Sequence, residues 1–118
     1  MGAMRDALRP SYERFVSEPI VPVEDSFGRA GVAAGEPAVP MRFHWRGCEY
    51  HVAQILEAWK TTGPDRGGSS ERYVRKHWYR IATSEGPVMR IYFERQPRTK
   101  GSTQRWWLAT ISNRIASA

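Results

Sequence analysis

From residue 41 onward, apolar and polar residues alternate along most of the chain, which is the pattern of strands that bury one face. Phe43 and Trp45 alternate with polar neighbours, and Tyr50 and Val52 continue the alternation beyond Gly47-Cys48. Two short strands around a Gly-X pair predict a tight hairpin, in which Gly47 supplies a positive φ at the first central position.

One stretch departs from this alternation and has helical spacing. Its apolar residues recur at intervals of three or four: Val52, Ile55, Leu56 and Trp59. This spacing predicts a short helix from Ala53 to Lys60, and Gly63-Pro64 would end it.

Three further segments predict strands, at 72–83, 88–95 and 105–111. Consecutive strands with short connections favour an antiparallel sheet. The predicted fold is therefore α+β: mainly an antiparallel sheet of about five strands, as a roll or partly open barrel, with one short helix after the first hairpin. The aromatic residues expected in its core are Phe43, Trp45, Trp59, Phe93 and Trp107.

The region before residue 41 has a weaker pattern. Residues 1–18 are expected to be an N-terminal extension with a weak helical pattern, because four apolar residues recur at helical spacing. Residues 19–40 form a Pro/Gly-rich arm with a possible edge strand at 20–23. The β-rich core domain is expected to span 41–112.

Composition limits the class of protein. The chain has 118 residues, 41% hydrophobic and 25% charged, as in one soluble globular domain. Its single cysteine, Cys48, allows no intramolecular disulfide, which favours a reducing cytoplasm. No apolar run approaches the roughly 20 residues that cross a bilayer, and the N-terminus lacks a signal-peptide core. We therefore expect a cytoplasmic protein with no membrane partner.

Charge is distributed unevenly along the chain. The net charge is +6; residues 72–118 carry ten Lys/Arg against two acids, whereas residues 1–40 carry four Arg against six acids. The basic stretch also contains most of the Trp and Tyr residues. Basic residues interleaved with aromatic rings are typical of nucleic-acid-binding surfaces, where rings stack on bases and cations hold phosphates.

The sequence therefore predicts a non-enzymatic nucleic-acid-binding protein that uses a basic, aromatic strand face. Lys76, Trp78 and Arg80 share one face of their strand, as do Arg90 and Tyr92 on the next. The full set of candidate nucleic-acid-binding residues is Lys76, Trp78, Arg80, Arg90, Tyr92, Arg95, Arg98, Lys100, Arg105 and Trp106. A sheet with a Trp-rich core and a solvated basic face would have the same composition, so the exposure of Trp78 and Trp106 decides between these readings.

Two other function classes stay open. A protein-interaction module could pair an exposed sheet edge with an acidic or strand-like partner. A small-ligand site would need a concave cavity lined by Trp. For catalysis and cofactors the sequence predicts none: it has no phosphate loop, nucleophile elbow or paired carboxylates, and its three His and Cys48 lack metal-ligand spacing.

The hairpin Phe43-His44-Trp45-Arg46-Gly47-Cys48-Glu49-Tyr50-His51-Val52 resembles a motif, Phe-x-Trp-Arg-Gly-x-x-Tyr-x-Val, of a small uncharacterised bacterial family, a domain of unknown function. The segments Ile55–Trp59, Trp78–Ile81 and Arg105–Leu108 are similar to its other conserved-looking elements. Some members are encoded near translesion polymerase genes, so the resemblance implies an association with DNA. It implies no catalytic residues.

Overall fold

Seven strands and one short 3-10 helix make up the described part of the chain, which comprises residues 13–29, 37–64, 72–95 and 104–112 of a computed structural model. The elements in chain order are β1 (Glu13–Pro19), β2 (Val21–Pro22), η1 (Glu24–Ser26), β3 (Arg42–Trp45), β4 (Cys48–Pro64), β5 (Arg72–Thr83), β6 (Val88–Glu94) and β7 (Trp106–Ser112). All neighbouring strands are antiparallel, and their order across the sheet is β1-β7-β6-β5-β4-β3-β2.

The sheet must curl, because its two edges are joined by a single residue. β1 and β2 are the outermost strands of the sheet, yet only Ile20 separates them in the chain. Residues 19 and 21 can be at most about 7 Å apart. The two edges therefore meet at this corner, where the Ile20 N–H donates to the carbonyl oxygen of Trp106 at 3.2 Å. The result is a half-barrel with Ile20 fully buried in its core.

The predicted helix at 53–60 is wrong, because these residues belong to the 17-residue strand β4. Its pairing with β5 shifts register between Val52 and Gln54 and again between Ile55 and Glu57. Each shift adds one unpaired residue, so inward positions recur every third residue instead of every second. The bulges thus imitate helical spacing. The described residues contain no α-helix, and the α+β prediction with five strands is corrected to an almost entirely β fold with seven.

The N-terminal region also joins the sheet. Residues 13–19 form β1 against β7 and not the end of a helix, while residues 1–12 lie outside the described part of the chain. The possible edge strand of the Pro/Gly-rich arm is present as the two-residue β2, at the edge beside β3. Ile20, between these strands, packs into the same core as Phe43.

The β3–β4 hairpin closes with a two-residue turn at Arg46 and Gly47, since Trp45 pairs with Cys48. Arg46 has a φ of 51° and Gly47 a φ of 77°. Two central residues with positive φ make a type I′ turn, which suits the twist of a hairpin. The expected positive φ at Gly47 is confirmed, but the turn lies one residue earlier than predicted.

A carboxylate of β1 ties this turn to the opposite edge. The Trp45 indole Nε1 donates to Glu18 Oε1 at 2.8 Å, and the Arg46 guanidinium donates to both carboxylate oxygens at 2.9 and 2.6 Å. The hydrogen bonds from Arg46, and then from Trp45, hold the pKa of Glu18 below its usual value. These hydrogen bonds link β1 to the β3–β4 turn and so hold the curled sheet together between its two edges.

Candidate nucleic-acid interface

Four aromatic residues form a row across the outer face of the sheet, and we call them the aromatic row: Trp59, Trp78, Tyr92 and Trp107. Each is directly opposite the next in the pairing of β4, β5, β6 and β7. Residues of β5 and β6 that alternate with them, such as Tyr79 and Ile91, are buried in the core on the inner face. Because side chains alternate across a strand, the row faces away from that core.

The rings of the aromatic row are in contact with one another. Trp59 and Trp78 stack with centroids 5.7 Å apart and planes 7° from parallel. Trp78 and Tyr92 lie 4.7 Å apart at 40°. The indole Nε1 of Trp78 donates to Thr61 Oγ1 at 3.1 Å, which fixes the orientation of that ring. Trp59 and Trp78 are partly exposed, whereas Tyr92 is only 3% exposed.

Two cations lie against these rings. The Lys76 ammonium is 4.5 Å from the centroid of Tyr92 and 5.8 Å from that of Trp78. The Arg90 guanidinium carbon is 5.8 Å from the centroid of Trp59. Cations at such distances are attracted by the ring quadrupole, by about 0.5–1 kcal/mol at exposed sites. The outer face therefore presents aromatic surface and positive charge within one small area.

Acids partly balance the cations on this face. Arg80 pairs with Glu57 at 3.4 Å, and Arg90 Nε pairs with Glu13 Oε2 at 2.7 Å. Such exposed pairs contribute little to stability and can be exchanged for other partners. The face between β1 and β4 is therefore less strongly positive than a count of its cations indicates.

Excess positive charge is found instead at one end of the sheet. The β4–β5 and β6–β7 connections lie at the same end, because alternate hairpins of an antiparallel sheet point the same way. We call the described strand ends there, 60–64, 72–76, 94–95 and 104–105, the basic end. Four cations with described side chains lie there against one acid, Glu94: Lys60, Lys76, Arg95 and Arg105. The aromatic row borders this end, since Tyr92 and Trp107 lie within two residues of it in β6 and β7.

The structure brings most of the sequence-predicted site residues to this region. Lys76, Trp78, Arg80, Arg90 and Tyr92 share the outer face. Arg95 is exposed at the basic end. The Arg105 guanidinium donates to the backbone carbonyls of Glu94 and Arg95 and lies 4.9 Å from the Phe93 ring centroid. Arg98 and Lys100 lie outside the described residues.

Trp106 does not join the predicted stacking surface, because it is 5% exposed and packs in the core against Phe93 and Tyr79. Sequence reasoning had exchanged the two faces of β7, placing Trp107 inside and Trp106 outside. The pairing with β6 shifts register between Arg90 and Ile91, so Ala109 is the extra residue. Trp106 and Leu108 face inward before the bulge and Ile111 faces inward after it, so no single alternation describes the strand.

Trp59 is the residue of the site that sequence reasoning missed. It was expected in the core as part of a helix, but β4 places it opposite Trp78 on the outer face. Recognising residues 53–60 as a strand would have shown this, because strand pairing with 72–83 aligns the two indoles.

A cleft opens near the basic end where β2 approaches β6 and β7. Its volume is about 300 Å³, and its lining includes Ile20, Phe27, Phe93 and Trp106. It is bordered by the side chains of Gln104 and Arg105, which are hydrogen-bonded to backbone carbonyls. Because the polar side chains at its border already bond to backbone carbonyls, the cleft does not indicate a particular class of ligand.

A second group of charged side chains lies at the start of β4. His51 contacts Glu49 at 3.1 Å and Glu85 at 2.5 Å. Partial burial opposes ionisation of Glu85, but hydrogen bonds from the His51 backbone N–H and imidazole bring its pKa below the usual value. Among the described residues, no group of three or more His, Cys, Asp or Glu side chains is arranged to hold a metal ion. Within the same residues, no helix is both long and apolar enough to span a membrane.

Fold and site together define a small curled antiparallel β domain with an aromatic row beside a basic end. A family model described as "Domain of unknown function (DUF6504)" matches residues 4–113, and the chain belongs to that family. The resemblance to an uncharacterised domain family is thereby confirmed. Searches of curated proteins and of solved structures gave no significant match.

Proposed function

We propose that this protein binds nucleic acid, without enzymatic activity, through the basic end and the adjoining aromatic row. The observation that carries the proposal is the grouping of Lys60, Lys76, Arg95 and Arg105 on strand ends at one end of the sheet, beside partly exposed Trp rings. A patch with four described cations against one acid attracts a polyanion, and phosphate contacts provide most of the affinity of non-specific nucleic-acid binding.

The two segments that connect these strands add one net positive charge. Segment 96–103 contains Arg98 and Lys100 and no acid, whereas segment 65–71 contains Arg66 against Asp65 and Glu71. Stacking on rings and contacts from cations to phosphates are both tolerant of sequence, so binding without strong sequence preference is proposed. The resemblance to family members encoded near translesion polymerase genes fits an accessory role in DNA repair.

Fluorescence anisotropy with labelled oligonucleotides at two salt concentrations tests the proposal. For about five phosphate contacts, the affinity should fall roughly 100-fold between 50 and 200 mM salt. Arg95→Glu, at the basic end, should weaken binding and reduce the salt dependence. Arg14→Glu changes the net charge equally but lies at the far end of β1, so it should leave binding nearly unchanged. Absence of binding at low salt, or equal effects of both variants, refutes the proposal.

The alternative proposal is a protein-interaction module, and one observation favours it. Phe15 is 77% exposed on the edge strand β1, where an added strand could pair. The register shift after Phe15 and the positive φ of Ser17 interrupt this edge and shorten any such pairing. A protein partner captured after nuclease treatment, and lost in Phe15→Ala, would support this alternative.

A further inference from the structure

We infer that the ligand is single-stranded nucleic acid, and that its bases stack on the Trp59–Trp78 pair while its phosphates lie along the basic end. This inference rests on the proposed function and names its substrate class. It departs from the sequence-based site in using Trp59 and in excluding Trp106, which is buried.

The first step is the width of the aromatic row. The row crosses four strands, which are three spacings of about 4.8 Å, or roughly 14 Å between the outer members. A surface this broad does not enter a major groove about 12 Å wide. It also curves away from the core, so it presents a convex face that a rigid duplex can touch only along its backbone. A flexible single strand can follow such a face.

The second step is the chemistry of the rings. Bases in a duplex are stacked on one another, so their faces are closed to protein side chains. Unpaired bases stack on exposed Trp or Tyr, and a four-stranded sheet with such rings holds two or three bases. Trp59 and Trp78 are the partly exposed pair here, and Trp78 is oriented by its hydrogen bond to Thr61. Tyr92, which is almost fully buried, packs against Trp78 from the neighbouring strand.

The third step is the position of the cations. Lys76 lies over Tyr92 and near Trp78, on the side of the row that faces the basic end. Arg90 lies near Trp59 on the other side. A strand whose bases occupy the row would therefore have a phosphate-binding cation on each side, with Arg95 and the other basic-end residues extending the positive surface.

The test compares three ligands of equal length: a labelled oligothymidylate, the same backbone with abasic sites, and a duplex. The single strand should bind about 5- to 100-fold more tightly than the abasic strand, because stacking is lost while the phosphates remain. Trp59→Leu and Trp78→Leu, which keep an apolar side chain and remove the π face, should weaken oligothymidylate binding by a similar factor. They should leave abasic binding almost unchanged.

Phe15→Ala is the matched control, because it removes an exposed aromatic ring from the same outer face on β1, three strands away from Trp78. It should alter none of the three affinities. If no ligand binds at low salt, the proposed function itself fails. If abasic strand or duplex binds as tightly as oligothymidylate, the protein binds phosphates alone and the stacking inference is overturned.

Discussion

Replacement of the two adjacent tryptophans of β7 should have very different effects on stability. Trp106 is 5% exposed, and its ring centroid lies 5.2 Å from that of Phe93 and 6.0 Å from that of Tyr79. Truncating a buried Trp to Ala typically costs about 3–5 kcal/mol through lost burial and the cavity left behind. Trp107 is partly exposed on the outer face, so Trp107→Ala should cost about 1 kcal/mol.

Urea and thermal unfolding followed by far-UV circular dichroism measure both costs without relying on the fluorescence of the removed residues. For a domain of this size, Trp106→Ala should lower the melting temperature by about 10–20 °C and Trp107→Ala by about 4 °C. Trp106→Phe, which keeps a ring in the core, gives an intermediate value should the alanine variant fail to fold. An equal or larger loss for Trp107→Ala would refute the assignment of the two faces of β7.

Two further predictions concern the turn that fastens the curled sheet. Glu18 has a lowered pKa in the folded protein, so its contribution to stability is complete above its ordinary value of about 4.5 and is lost as the pH falls through the folded value. The melting temperature should therefore drop below pH 4.5, and less steeply in Glu18→Gln; identical pH profiles would contradict this role. Gly47→Ala should cost about 1 kcal/mol, because φ is 77° and nothing lies within 4 Å of the added methyl group. Gly47→Asn should recover most of that loss in thermal unfolding, and an unchanged Gly47→Ala midpoint would argue against the type I′ turn.

Regular alternation made much of the sheet predictable from sequence. In β6, Met89 and Ile91 are buried in the core as the pattern indicates, and Phe43 and Trp45 of β3 are buried as expected. These strands have unbroken pairing over the residues concerned, so a period of two describes them.

The errors that changed the candidate site lie where pairing is irregular. Two bulges in β4 spaced three residues apart gave Val52 and Ile55 the spacing of a helix, and one bulge in β7 reversed the expected positions of Trp106 and Trp107. A bulge is a tertiary feature that depends on the partner strand, so local periodicity does not reveal it. The candidate site inherited both errors, losing Trp59 and gaining Trp106.

The grouping of cations at the basic end could likewise not be predicted from the order of residues along the chain. The sequence shows a basic C-terminal part, but the grouping of Lys60 with Arg95 and Arg105 follows from which hairpins point the same way. Several outward cations of the central strands, such as Arg80, are instead paired with acids. Topology, more than composition, therefore decides where a polyanion would be attracted.

The most direct measurement is an NMR titration of the five tryptophan indole N–H resonances with oligothymidylate at low salt. The account predicts that the resonances of Trp59 and Trp78 shift progressively with added oligonucleotide, while those of the buried Trp45 and Trp106 stay in place. Titration that leaves Trp59 and Trp78 unmoved, with or without changes elsewhere, would contradict a stacking surface on the outer face of the sheet.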